Sequence, residues 1–224
     1  MEAAPGQRRG IVVATAVASL ALWTLLGVLG FGGWSAYFAH PARTLGVVSG
    51  VAMTIWALSS SVNLSSGVRE DTAGRRVFVP AAAGTLLLFW LVPYLDRRDL
   101  FTIDGDTARW TGLAVMTAGG VLRIWPMFVL GRRFSGLVAI QPGHELVTDG
   151  PYRFVRNPSY LGMILAMLGW ALLFRSGVGL VVTALGLVLL VARIDHEERL
   201  LASQFGDAYE AYRRRTWRLL PGVY

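Results

Sequence analysis

The sequence has no cysteine and no lysine, only three histidines, and little charge: 16% of its 224 residues are charged. Without cysteine there are no disulfides, thiol nucleophiles or thiolate-held metals. The charge content is lower than a soluble domain of this length normally carries. No P-loop is present, and no G-x-G-x-x-G joins a strand to a helix. The glycine-rich GFGG at 30–33 merely closes an apolar run, so a Rossmann-type nucleotide domain is excluded. G-x-S-x-G is also absent, and three scattered histidines do not build a catalytic triad.

What is present is apolar. Hydrophobic residues make up 54% of the chain, and the mean hydropathy is +0.51. They fall into blocks of roughly 20 residues, the length that crosses a bilayer core as a helix. Six spans are predicted: Ile11–Phe31, Thr44–Leu64, Val77–Leu95, Trp110–Leu130, Ser159–Phe174 and Gly177–Ala192. Arg8 and Arg9 before the first run resemble the start of a signal peptide. That run is too long for a signal core and no small-residue cleavage site closes it, so it reads as a retained span. Only Arg175-Ser176-Gly177 separates spans five and six, which predicts a tight helical hairpin. The expected fold is all-α: a polytopic membrane bundle of about six helices, one domain over 1–224, with a cytoplasmic amphipathic C-terminal segment.

The net charge is +7, and every basic residue is arginine. These arginines sit at the ends of apolar blocks, which points to lipid headgroups and orientation rather than nucleic acid. All-arginine usage also fits a bias in genome composition. Arg8, Arg9, Arg69, Arg75, Arg76, Arg132, Arg133, Arg153, Arg156 and the tail after span six fall on one side. The other side carries fewer, diluted by Asp96, Asp99, Asp104 and Asp106. Both termini are therefore expected in the cytoplasm, and the expected location is the plasma membrane of a bacterium. The small residues Gly112, Ala118, Gly119 and Gly120 of span four suit close helix packing.

Two segments stand out as polar. The first, QPGHELVTDGPYRFVRNPSY over 141–160, is long for a turn between spans. Its prolines and glycines fix the backbone, and Asn157-Pro158 opens the next helix with proline in its first turn. The free N–H groups of such a start bind anions readily. Tyrosine and arginine equally suit a plain interfacial anchor, so both uses stay open. The second, ARIDHEERLLASQFGDAYEAYRRRTWRLLP, begins with Arg193 and Glu197 one helical turn apart. Leu201, Phe205, Tyr209 and Tyr212 continue much the same stripe. A tail lying on the bilayer accounts for most of it, and a simple salt bridge accounts for Arg193 and Glu197. Asp195-His196-Glu197-Glu198 looks rich in ligands, but consecutive helical residues point in different directions and cannot wrap one ion. Arg123 lies inside span four, where a charge marks a site or snorkels to the nearby interface.

Together, HELVTDGPYRFVRNPSYLG, a short hairpin and RIDHEERLLASQFGDAYEAYRRRTWRLLP resemble the isoprenylcysteine carboxyl methyltransferase family, among the membrane phospholipid methyltransferases. The resemblance covers about residues 119–221; residues 1–110 carry no recognisable motif. It implies an integral membrane enzyme that uses S-adenosyl-L-methionine, held at the cytoplasmic face without a Rossmann fold, with a lipid-like acceptor entering from the bilayer. Carried over by position, His144, Leu146, Val147, Tyr152, Asn157, Pro158, Ser159 and Tyr160 line the cofactor, and Gln141 matches a family glutamine. Glu197 holds the cofactor, Arg193 orients the acceptor, and Arg156 and Arg123 join Arg193 as acceptor contacts. The family usually has Arg-His-Pro where this chain has Arg156-Asn157-Pro158, and Asn157 cannot shuttle a proton. Other readings are a phospholipid amine methyltransferase, a non-catalytic scaffold or sensor, and a membrane reductase.

Overall fold

A computed structural model describes residues 5–60, 72–131 and 146–223, and these are almost wholly helical. In chain order the helices are α1 (Pro5–Phe31), α2 (Trp34–Phe38), α3 (Pro41–Leu58), α4 (Thr72–Arg97), α5 (Thr107–Leu130), α6 (Pro158–Leu173), α7 (Gly177–Phe205) and α8 (Asp207–Arg214). A 3-10 turn, Gly150–Arg153, precedes α6. Four of them, Gly10–Phe31 of α1, α3, α5 and α7, are long and apolar enough to cross a membrane. The shorter α6 is also apolar. On α7, Val181, Leu185, Val188 and Leu189 are 60–68% exposed. An apolar row of that kind suits lipid tails and is unfavourable in water. The molecule is an integral membrane protein.

Local chemistry sets the helix ends. His40 caps α3, its Nδ1 accepting from the Ala42 amide (3.2 Å), with Pro41 in the first turn. Ser176 caps α7 by accepting from the Gly179 amide (3.1 Å). The predicted hairpin between spans five and six is present at Phe174–Ser176. Its backbone is tied to residues 101–103: Gly177 N donates to Phe101 O (2.8 Å), and Ile103 N to Arg175 O (2.7 Å).

The sixth span was expected to stop at Ala192; instead α7 continues to Phe205. Residues 193–205 contain no glycine or proline and many good helix formers, so nothing breaks the helix at the apolar boundary. Gly206, at φ +48°, ends it. The expected continuous stripe from Leu201 to Tyr212 is therefore interrupted, and Tyr209 and Tyr212 fold back into buried positions on α8.

The central contact is between α5 and α6, whose backbones touch. A Cβ on Gly112 would lie 2.2 Å from the Leu173 amide nitrogen, and one on Gly162 2.4 Å from that of Arg123. Glycine at such points lets two helices approach within backbone distance. Gly119 takes the same role against Ala166, while Gly120 faces Met53 of α3. One core cluster gathers Val28, Tyr37, Ala42, Val92, Leu173 and Phe174. A second gathers Leu161, Leu190, Ile194 and Leu219.

Near the first cluster lies a buried ionic network. Asp96, 2% exposed, accepts from both Arg109 amino groups (2.7 and 3.0 Å) and from Arg175 Nε (2.9 Å). Arg109 also donates to the Leu173 carbonyl, and Arg175 to Asp99. Buried Arg43 donates to the Tyr37 and Ala36 carbonyls and lies over the Phe31 ring (4.0 Å to its centroid).

Candidate functional site

The opposite end of the α5–α6 pair holds a second polar cluster. Because Gly162 lets α6 press against the backbone of Arg123, the Arg123 side chain reaches the first turn of α6. Its Nη1 donates to Ser159 Oγ (2.6 Å), and Ser159 Oγ donates back to the Arg123 carbonyl (3.3 Å). The nearby helix start is set by Pro158, which is buried and supplies the proline of the first turn.

One residue on, Tyr160 points to α7. Its hydroxyl donates to Glu197 Oε1 (2.5 Å) and accepts from Arg193 Nε (2.7 Å). Arg193 Nε and Glu197 Oε1 are 3.5 Å apart, the one-turn pairing expected from their spacing. The guanidinium of Arg193 also lies 5.6 Å from the Tyr160 ring centroid. The side chains are 41% and 22% exposed for Arg193 and Glu197. Tyr160 therefore stands between a carboxylate and a guanidinium that are both partly exposed. Tyr152, in the 3-10 turn, faces the same cluster. Burial, with the Tyr212 phenol and the Glu197 carboxylate adding to it, pushes its phenol above the ordinary value.

The structure thus brings Arg123, Tyr152, Ser159, Tyr160, Arg193 and Glu197 together. Leu146 and Val147 are half-buried just before the turn. Gln141 and His144 lie outside the described residues. Asn157 and Arg156 turn elsewhere. Asn157 Nδ2 donates to Glu198 Oε1 (3.1 Å) and the Arg218 carbonyl (3.2 Å). Arg156 Nε donates to the same Glu198 oxygen (3.0 Å), and its Nη1 to the carbonyls of Arg213 (3.1 Å) and Thr216 (2.5 Å). Of the acidic run, Asp195 meets Arg218, Glu197 meets Tyr160 and Arg193, and Glu198 meets Arg156, Asn157 and Arg218. The divergence expected of consecutive helical residues is what the structure has.

Sequence reasoning missed Glu198 and Arg218 as partners of the 156–157 turn. The signal was available only as opposite charges in distant segments. Nothing in one sequence pairs Arg156 with Glu198 forty-two residues away.

By fold and site, the chain is a polytopic helical membrane protein with a partly open polar cluster at one end of its bundle. The family model for the isoprenylcysteine carboxyl methyltransferase (ICMT) family matches residues 111–203. Protein-S-isoprenylcysteine O-methyltransferase of Schizosaccharomyces pombe is 39% identical over 108 residues, 47% of this chain and 46% of the relative. Steroid 5-alpha-reductase DET2 of Solanum lycopersicum is 31% identical over 109 residues, 49% of this chain and 41% of the relative. Among solved structures, the eukaryotic intramembrane Ras methyltransferase ICMT (isoprenylcysteine carboxyl methyltransferase) is similar over 95% of this chain and 77% of its own. The TM-score is 0.58 at 22% identity, which speaks to the fold. The chain is similar to the isoprenylcysteine carboxyl methyltransferase family over residues 111–203. It spans about half the length of the first curated relatives it matches.

Proposed function

We propose that the protein is an S-adenosyl-L-methionine-dependent methyltransferase that acts on a lipid-like carboxylate at the cytoplasmic face of a membrane. The observation that carries this reading is the Arg193–Tyr160–Glu197 cluster, which lies within the family-matched segment, where the first turn of α6 meets α7. Six bilayer crossings with both termini cytoplasmic are part of the same reading. They rest on six helices in the right places and on the arginine asymmetry.

The residues fit the cofactor. A half-buried carboxylate, Glu197, suits an ammonium, and the rings of Tyr152 and Tyr160 suit a sulfonium by cation–π attraction. When bound, the cofactor supplies an electrophilic methyl group. Tyr160 holds Glu197 and Arg193 in register through one hydroxyl, so both charges are oriented in advance. Arg193 provides the cation for a carboxylate acceptor. Such an acceptor is ionised at neutral pH and needs no base. In-line displacement then depends on alignment and on exclusion of water. Arg123 fixes Ser159, and with it the start of α6 from which Tyr160 projects.

An amine acceptor would require a base, and Asn157, turned toward Glu198, supplies none. Radiolabelled methyl transfer to native membrane lipids tests the proposal. Base-labile label is the expected result, because an ester is cleaved by base. Base-stable label points to an amine acceptor, and absence of label contradicts methyl transfer. The likeness to a steroid 5-alpha-reductase favours a second reading, a membrane reductase. Oxidation of a reduced nicotinamide by the purified protein would support it, and the methyltransferase reading predicts none.

A further inference from the structure

The last turn of the chain crosses the start of α6. Arg156 N donates to Trp217 O (2.8 Å) and Trp217 N to Phe154 O (2.9 Å), a short parallel bridge centred on Val155 and Trp217. Glu198, 9% exposed, stands beneath it. One of its oxygens accepts from Arg156 Nε and Asn157 Nδ2, and the other lies 3.4 Å from Arg218 Nε. Arg156 and Asn157 also donate to the tail's own carbonyls, those of Thr216 and Arg218. Next in the tail, Leu219 is 3% exposed in the cluster with Leu161 and Ile194, against which Tyr160 packs.

From this we propose that residues 216–219 form a strap, clasped by Glu198, that positions the 156–160 turn and through it the Tyr160–Glu197 pair. The two adjacent acids divide the work: Glu197 faces the open cluster, and Glu198 faces the strap. Glu198, Arg156 and Arg218 are then positioning residues, and Asn157 serves the clasp from the place where the family usually has histidine. A buried carboxylate that accepts from two donors and pairs with a third group, the Arg218 guanidinium, fixes geometry because losing a partner leaves its charge less compensated. The coupling to ligand rests on the function proposed above; the clasp itself does not.

The test uses the full chain in detergent and the Glu198→Gln variant. Amide hydrogen exchange at Arg156 and Trp217, the two bridge donors, is read without ligand. It should accelerate at least about tenfold, the scale of one lost charge-assisted bond. Half-saturation by S-adenosyl-L-methionine should rise by a similar factor, with turnover at saturation within about threefold of the parent, the pattern of a lost binding contribution. Arg218→Gln, which leaves Glu198 its contacts to Arg156 and Asn157, should give a weaker version of both effects. It also serves if Glu198→Gln does not fold. Exposed Arg214→Gln should change neither. Unchanged exchange in both clasp variants overturns the strap. Faster exchange with unchanged half-saturation overturns its coupling to the site. If the parent chain binds no cofactor, the function fails together with that coupling, while the exchange result still decides the clasp.

Discussion

Helix α5 carries an arginine near each end, and the two are held differently. Arg109 meets Asp96 through two short bonds, with Arg175 closing the far side of the same carboxylate. About 21 Å along the helix, at 1.5 Å per residue, Arg123 meets a serine. Beside it, Arg193 and Glu197 pair at 3.5 Å with a tyrosine hydroxyl between them. The first arrangement is buried and short, a closed set of charges that ties α4, α5 and the α6–α7 hairpin together. The second is partly exposed, and its two charges are bridged by a tyrosine hydroxyl rather than by a bidentate contact, so they can still meet a ligand. Similar residue types make a fastening at one end and a candidate site at the other, and the difference is burial and geometry.

This contrast can be broken at either end. The largest effect on stability is expected from Asp96→Ala. It leaves buried Arg109 without its carboxylate, and half-buried Arg175 with Asp99 alone, and should cost about 3–5 kcal/mol, as for other broken buried pairs. Thermal unfolding in detergent measures it. Next comes Gly162→Ala, where the new Cβ meets the Arg123 backbone. Overpacking of about 1–3 kcal/mol is expected, and displacement of Arg123 from Ser159 should reduce methyl transfer as well. Glu197→Ala should lower cofactor affinity about tenfold or more, the scale for a charged partner in a binding site, while unfolding changes little. Arg193→Ala should change stability by under about 1 kcal/mol, because the pair is partly exposed. Turnover should fall with much of the cofactor binding intact. Loss of cofactor binding in Arg193→Ala would mean that the roles of Arg193 and Glu197 are wrongly divided.

Much of this was legible in the sequence. Apolar block length located α1, α3, α4, α5, α6 and the first part of α7, and Arg175-Ser176-Gly177 located the hairpin. The one-turn spacing of Arg193 and Glu197 placed them on one face, and described parts of the two polar segments meet in the candidate cluster. The rest depended on long-range contacts. Asp96 and Asp99 read as charges that set orientation, yet Asp96 is the buried centre of a network joining residues 96, 109 and 175. Arg156 read as an acceptor contact and Asn157 as a cofactor contact, yet both side chains meet Glu198 and the tail. The end of α7 was misplaced because hydropathy marks where a membrane ends, whereas helix propensity and Gly206 decide where the helix ends.

Calorimetric titration of the purified chain in detergent with S-adenosyl-L-methionine tests the central claim most directly. The account predicts saturable binding that Glu197→Ala weakens about tenfold or more and that an unfolding-neutral change at exposed Arg214 leaves intact. No heat with the cofactor or its demethylated product, or full binding in Glu197→Ala, would contradict it.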